Sequence, residues 1–328
     1  MHLDNRLDHV DRNLLNLVQG SVPLTREPYV DLGAQLSVTG DEVIARLGKL
    51  KTKGLIRQIS PVIDAASLGF RTTLVAMRVT GSNLEKAEEV ISGHHGVSHG
   101  YERDHHFNVW FTLATPPGLD AEDELRQISR FFEAEAAFTL PALKLFKLDV
   151  YFDMTGNGHS RPNRPEGHRN GPVQLTEAER LVTNEIQDGL PLTRTPFDAM
   201  AGRANMGVTE FLTCCRSLLQ KGVMRRYSAS LNHRKVGISA NAMTCWAAPP
   251  DKVETAGREL ASLREVSHCY ERKTNPLWQY NLFAMIHSQT QAACRDVAAR
   301  LSDRIGLDDC VLLFSTKEFK KSRIKYRV

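Results

Sequence analysis

The sequence predicts an α+β fold made twice over: a tandem duplication in which each copy is a winged helix-turn-helix followed by a ferredoxin-like βαββαβ domain. Three observations predict it: motifs that return at a nearly constant spacing, a helical period at the start of each copy, and alternating strand and helix periods in the rest. "PLTREPY" begins at Pro23 and "PLTRTPF" at Pro191, 168 positions on. "KGLIRQIS" (53–60) returns at the same spacing as "KGVMRRYS" (221–228). "SHGYERD" (98–104) returns 169 positions on as "SHCYERK" (267–273). From Phe107 and Tyr280 onward the spacing is 173, so the second copy carries a longer loop there. It is still 173 between Phe146 of "LFKLDVY" and Phe319 of "EFKKSRI".

Each element has a local reason. "HVDRNLLNLVQ" sets apolar residues at helical spacing, and "YVDLGAQL" follows a proline break. "TGDEVIARLGKLKTKG" turns Val43, Leu47 and Leu50 inward and stops at Gly54. Helix, short turn and helix over residues 8–57 make a helix-turn-helix pattern, "GLIRQIS" begins a wing strand, and residues 175–228 repeat the whole. A strand (72–80) follows, then a helix in "NLEKAEEVISG" and strands in "GVSHGYER" and "HFNVWFTLATP". A helix in "AEDELRQISRFFEA" and a last strand in "ALKLFKLDVYF" complete the β-α-β-β-α-β order. The expected domains are 1–60 and 61–154 in copy one, and 173–228 and 229–328 in copy two. Between the copies "TGNGHSRPNRPEGHRNGP" (155–172) is dense in Gly, Pro, Asn and Arg and reads as a flexible linker. A tether keeps two halves at high effective concentration, so the copies are expected to pair with each other. Further homo-oligomerisation stays open.

Composition narrows the class. With 328 residues, 41% apolar and 24% charged, the chain is an ordinary globular protein by content. No apolar run approaches the roughly 20 residues of a spanning helix, and "MHLDNRLDHVDRN" does not read as a signal peptide, so a cytoplasmic protein is expected. All 6 cysteines fall after residue 200 and none forms a C-x-x-C pair, which points to reduced, packed thiols and to no metal site. A net charge of +4 does not argue for nucleic acid. The recognition-helix positions argue against it. Asp41 and Glu42 of copy one, and Glu210, Phe211 and two cysteines of copy two, stand where phosphate-binding Lys and Arg would be needed.

The copies differ most where the wing strand leaves the helical domain. At the 168 spacing Arg225 matches Arg57, but Arg226 replaces Gln58, His233 replaces Ala65 and Arg234 replaces Ala66. Copy two thus gathers Arg225, Arg226, Tyr227, His233, Arg234 and Lys235, either as a solvated basic surface or as an anion site of guanidinium forks. In the repeated strand, the period of 2 puts His99, Tyr101 and Arg103 on one face, and His268, Tyr270 and Arg272 on the matching one. Such a face is either a polar contact between paired sheets or a site with a proton donor or iron ligand, a hydrogen bond and a carboxylate clamp. The histidines His94, His95, His105 and His106 read as loop residues.

A winged helix-turn-helix followed by a ferredoxin-like domain resembles the Lrp/AsnC regulators. More specifically, "RRYSASLNHRKVG", the two SH-YER strands, "YNLF" and "LLFSTKEFKKSRIKY" resemble the siroheme decarboxylases, whose fold is Lrp/AsnC-like. The unequal copies look like the two subunit types of that family fused in one chain, as in the heme d1 pathway of denitrifying bacteria. The resemblance implies a carboxy-lyase that removes the acetate carboxyls at C12 and C18 of siroheme, giving 12,18-didecarboxysiroheme. It implies no added cofactor, since the iron belongs to the substrate and a histidine could ligate it.

On this reading copy two carries the catalytic set His233, His268, Arg225, Arg226 and Tyr227. Arg234, Tyr270, Arg272 and Asn281 of "YNLF" would bind substrate, with Arg57, His99, Tyr101 and Arg103 contributed by copy one. The second reading is a tetrapyrrole-responsive regulator of Lrp/AsnC type. A ligand-binding partner in a larger biosynthetic complex is a third.

Overall fold

The computed structural model describes residues 7–148, 154–155, 171–232, 240–263 and 265–328. Copy one runs α1 (His9–Gly20), α2 (Pro28–Leu36), α3 (Gly40–Thr52), β1 (Ile56–Ile63), β2 (Arg71–Arg78), α4 (Leu84–Gly93), β3 (Val97–Arg103), β4 (Val109–Thr115), α5 (Ala121–Phe131) and β5 (Ala136–Leu148). Copy two repeats it as α6 (Glu177–Ile186), α7 (Pro196–Arg203), α8 (Val208–Gln220), β6 (Met224–Leu231), β7 (Ala240–Trp246), α9 (Val253–Ser262), β8 (Val266–Arg272), β9 (Leu282–Ser288), α10 (Gln291–Ile305) and β10 (Cys310–Lys321). Two compact units result, and each draws on both copies: Met1–Gly69, Tyr151–Gly237 and Lys325–Val328 form one, Phe70–Val150 and Ile238–Ile324 the other. The expected linker, apart from Thr155, Gly171 and Pro172, lies outside the described residues.

In the helical unit the helices start where the side chains permit. Asp8 accepts the Asp11 amide at 2.7 Å to cap α1, and Thr39 accepts the Glu42 amide at 3.2 Å to cap α3. Thr176 and Glu179 form a reciprocal capping box on α6. Val43, Leu47 and Leu50 are buried, as their spacing predicts. Arg46, midway along α3, is tied to Asp8, Asp11 and Glu42, so its guanidinium is already engaged by carboxylates. The wing strands pair across the copies: β1 runs antiparallel to β6 of the other copy, from Ile56↔Leu231 to Ile63↔Met224. Each single wing strand has an open edge, and the duplicated partner satisfies it.

The second unit is a closed antiparallel barrel with strand order β10-β3-β4-β2-β5-β8-β9-β7. Each copy supplies the ferredoxin-like order, β5-β2-β4-β3 or β10-β7-β9-β8. The last strand of each copy is long, 13 residues in β5 and 12 in β10, because it serves two sheets. Residues 136–141 pair with β2 and 142–148 with β8, while 310–314 pair with β7 and 315–321 with β3. Exchange of these strands leaves no free edge. Alternate residues then face two kinds of core. Val75, Val109 and Phe111 pack outward with Ile91 of α4 and Leu125 and Ile128 of α5, while Val266, Leu282 and Ala284 do the same with α9 and α10. Ala76, Trp110, Phe138 and Leu140 point inward, where they meet Met243, Cys245, Phe283 and Leu313 of copy two. Each of the large inward residues contributes roughly 1.5–3 kcal/mol by leaving water. Gly257 of α9 is required by this exchange, since a Cβ there would lie 2.4 Å from the ring of Phe146 on β5.

All described cysteines are free, and four of the six are buried. Among the described residues, no helix is long and apolar enough to cross a membrane.

Candidate active site

Two arginines enter the barrel from matching strands. Arg103 on β3 is 5% exposed and its Nη1 donates to the Leu313 carbonyl at 2.9 Å. Arg272 on β8 donates from Nη1 to the Leu140 carbonyl, also at 2.9 Å. Each guanidinium lies against a tyrosine ring, Arg103 at 5.4 Å from Tyr101 and Arg272 at 4.6 Å from Tyr270, and Arg272 is also 5.6 Å from the Phe283 ring. Both Nε atoms are buried without a hydrogen-bond partner. Neither guanidinium meets a carboxylate at ion-pair distance among the described residues. Burial makes each less basic than usual and pushes the nearby Cys245 thiol well up. Cations desolvated without a counter-ion are costly, and a fold retains them where an anionic ligand supplies the missing charge.

The bends that present these arginines are held by a repeated asparagine. Asn108 donates to the Val79 carbonyl (2.8 Å) and accepts the Val79 amide (3.0 Å). Asn281 does the same with Ala248, at 2.9 and 2.8 Å. Their carbonyls accept the amides of Arg103 and Arg272, each at 2.8 Å. Asn281, expected to touch substrate, has both ends of its side-chain amide occupied by backbone. It is a positioning residue for Arg272.

Where β5 and β10 run out, imidazoles gather. Ser267 Oγ lies 2.8 Å from His268 Nδ1 and 2.6 Å from His287 Nε2. Burial pulls the His268 pKa down to about 3, helped by the positive charges of His287, His99, Lys321 and Arg272. Burial, with Lys321, lowers His287 to about 4. Both imidazoles are therefore neutral at pH 7 in the ligand-free protein. A bound polycarboxylate has the opposite effect, because nearby negative charge favours the imidazolium. In copy one, Ser98 Oγ holds the exposed His99 Nδ1 at 2.9 Å. The match stops there. His287 and Lys321 correspond, 173 positions back, to Ala114 and Leu148.

The other expected site residues belong to the helical unit. The fork of Arg225 meets the Asp64 carboxylate of copy one, at 2.6 Å from Nη2 and 3.1 Å from Nε, so the carboxylate predicted for it is the chain's own. Tyr227 is 1% exposed and its hydroxyl donates to the Ile186 carbonyl at 3.2 Å, which makes it a core residue rather than a catalytic one. Arg226 Nε donates to Ser228 Oγ at 3.3 Å, and Arg57 lies partly buried on β1. His233, Arg234 and Lys235 lie outside the described residues. His94 pairs with Glu124 at 2.9 Å, and His105 stands edge-on to Trp278 with 5.5 Å between ring centroids. Among the described residues no group of His, Cys, Asp and Glu is arranged to hold a metal ion. Ser267, His287, Lys321 and Cys245 are not among the site residues expected from the sequence. Comparing the copies at the 173 spacing exposes His287 and Lys321, which replace apolar residues.

Comparison with known proteins agrees with this architecture. Residues 67–147 and 235–320 match the AsnC-like ligand binding domain, and residues 11–57 and 179–225 match the siroheme decarboxylase NirDL-like HTH domain. The chain is 37% identical over 314 residues to a siroheme decarboxylase of Hydrogenobacter thermophilus, covering 95% of this chain and 93% of that one. A siroheme decarboxylase beta subunit of Methanosarcina barkeri is 43% identical over 140 residues, 43% of this chain and 92% of the subunit. The crystal structure of siroheme decarboxylase NirDL in co-complex with an iron-uroporphyrin III analogue superposes with a TM-score of 0.74 at 33% identity, covering 98% of this chain and 95% of that one.

Proposed function

The chain belongs to the siroheme decarboxylase family, and from that premise we propose that the barrel unit carries its active site, with His268 as the acid and Arg272 and Arg103 as the carboxylate-holding cations. The observation that carries this reading is the pair of guanidiniums whose Nε atoms are buried unpartnered and which meet no carboxylate among the described residues, beside an imidazole cluster at the end of the barrel. Siroheme is a flat macrocycle rimmed with carboxylates, so a cationic, aromatic-lined site fits it. The reaction releases carbon dioxide from the acetate groups at C12 and C18 and yields 12,18-didecarboxysiroheme, a carbon–carbon lyase reaction. The iron arrives with the substrate, and no other cofactor is needed. The enzyme works in the cytoplasm, where its thiols stay reduced.

The chemistry needs an electron sink and a proton. Protonation of the ring carbon beside the acetate provides the sink, and a nearby imidazole provides the proton. The arginines fix which carboxylates enter and hold them in register, so positioning supplies part of the rate. The two halves are not equivalent: copy two contributes the His268–Ser267–His287 set and Lys321, while copy one contributes His99, Tyr101 and Arg103, with Ala114 and Leu148 where copy two has His287 and Lys321. The regulator reading is disfavoured by the acidic start of α3 and by the ion pairs that occupy Arg46.

The test is anaerobic incubation of the purified chain with siroheme and mass analysis for stepwise loss of carbon dioxide. Two successive losses are expected, with His268→Ala abolishing them and His99→Ala reducing them less. No loss from the wild-type chain refutes the enzyme reading, and equal activity in both variants removes His268 from the acid role.

A further inference from the structure

The hairpin between β8 and β9 is longer than its counterpart between β3 and β4, because the spacing of the copies grows from 169 at Arg103 and Arg272 to 173 at Phe107 and Tyr280. The added length is a shaped turn. Asn275 and Trp278 exchange backbone hydrogen bonds, at 3.0 Å from the Asn275 amide and 2.7 Å from the Trp278 amide. Asn275 Oδ1 accepts the Leu277 amide at 3.0 Å, and Pro276 presets the first central position of the bend. The Lys273 amide anchors the entry to the turn by donating to the Pro141 carbonyl of β5 at 2.9 Å. The bend leaves Leu277 55% exposed and turns Trp278 into the barrel, where it is 3% exposed. Copy one, with Asp104, His105 and His106 alone before Phe107, has no counterpart of Trp278.

Inside, the indole packs among rings from both copies. Centroids lie 5.0 Å away for Trp110, 5.2 Å for Tyr280, 5.5 Å for His105 and 6.5 Å for Phe283. The Arg272 guanidinium lies over the same Phe283 ring, and Trp110 is paired in register with Tyr101, against whose ring Arg103 lies. One inward core therefore holds three buried N–H donors without an acceptor among the described residues: Trp278 Nε1, Arg103 Nε and Arg272 Nε. The other two tryptophans are satisfied. Trp110 Nε1 donates to the Phe107 carbonyl at 2.7 Å, and Trp246 Nε1 to Ser302 Oγ at 2.8 Å. Asp104, the carboxylate beside Arg103 in the chain, accepts the Phe314 amide at 2.6 Å. A phenyl ring would pack where Trp278 does without burying an N–H. An indole there destabilises the ligand-free barrel unless a bound acceptor uses its donor.

We propose that Trp278 is a substrate-binding residue, whose indole N–H joins Arg103 and Arg272 in a donor-only subsite for one carboxylate arm that the reaction leaves in place. A carboxylate only accepts, and its two oxygens offer about four lone-pair sites, which suits three donors of which two are cationic. The subsite stands at the turn end of β8, four residues from His268 and about 13 Å along the strand. The arm held there is therefore not the one whose ring carbon meets the imidazole. Its contacts are the same before and after carbon dioxide leaves, so they tighten binding without changing the chemical step. They also select macrocycles that carry a carboxylate at that position.

The assignment rests on the barrel unit being the siroheme site, and its test separates the two ideas. Trp278→Phe keeps an aromatic ring and removes the donor. Steady-state turnover of siroheme is compared for the wild type, Trp278→Phe, Arg272→Lys and the double variant, beside thermal melts without ligand. Trp278→Phe is expected to raise KM by about 10- to 10²-fold, the effect of a lost hydrogen bond to a charged group, with kcat unchanged. Without ligand it melts no lower than the wild type, since an unsatisfied donor is gone. The double variant raises KM by less than the product of the single effects, because both changes act on one arm. An unchanged KM in Trp278→Phe, with or without a lower melting temperature, leaves the indole a packing residue and overturns the subsite. A fall in kcat at unchanged KM overturns it too, as do independent effects in the double variant. If the wild type itself does not turn over siroheme, the barrel-site reading fails instead.

Discussion

Acidification should unfold the barrel through two imidazoles, and the size of the effect follows from their burial. In the unfolded chain a histidine binds its proton near pH 6.5. In the folded barrel His268 does so at about 3 and His287 at about 4. Because the folded pKa values are depressed, the unfolded state holds more protons below pH 6.5. Stability is therefore full above that pH and falls as pH drops toward 4. From pH 7 to pH 5 each imidazole costs about 1.9 kcal/mol by linkage. Solvent reaching the partly exposed rings brings the pair to roughly 2–4 kcal/mol. The assay is guanidinium unfolding at pH 7 and pH 5, followed by tryptophan fluorescence. All three tryptophans, Trp110, Trp246 and Trp278, lie in the barrel unit, so the signal reports that unit alone. The wild type should lose that much more stability than a His268→Gln/His287→Gln variant, in which groups that titrate elsewhere cancel. Equal losses in the two proteins would refute the buried neutral pair.

Two further outcomes follow from packing and charge. Gly257→Ala should lower barrel stability by about 1–3 kcal/mol, because the new Cβ would lie 2.4 Å from Phe146, and Phe146→Leu in the same chain should recover part of the loss in a thermal melt. Arg225→Ala should destabilise the helical unit by about 1–3 kcal/mol, leaving the 16% exposed Asp64 carboxylate without its partner, with little change in turnover per folded molecule. A double-mutant cycle with Asp64→Asn measures the coupling.

Much of the fold was legible because it is written locally. Apolar residues at 3.6 or 2 spacing, Asp8, Thr39 and Thr176 at helix starts, and Pro28 and Pro196 at first turns place the elements within a few residues. The site was legible in part. The repeated strand pointed to His268, Tyr270 and Arg272 by their shared face, and the barrel gathers them. The run around Arg225 misled, because a guanidinium fork looks the same in sequence whether its carboxylate is a substrate or Asp64. Asn281 misled for a similar reason: an amide that binds ligand and one that clips backbone differ only in what lies within 3 Å.

The duplication, the element order in each copy and the inequality of the copies can be read from the chain alone. All three depend on periodicity and on residue-by-residue comparison. That β1 finds β6, that β5 and β10 each cross into the other sheet, and that the barrel closes emerge only when the chain is folded. Pairing joins residues far apart in the chain, and backbone edges are satisfied by whichever strand arrives. The charge state of His268 belongs to the same class. Imidazole chemistry is fixed by residue type, but its pKa is fixed by burial and by cations brought from β3, β9 and β10, which no local reading of "SHCYERK" contains.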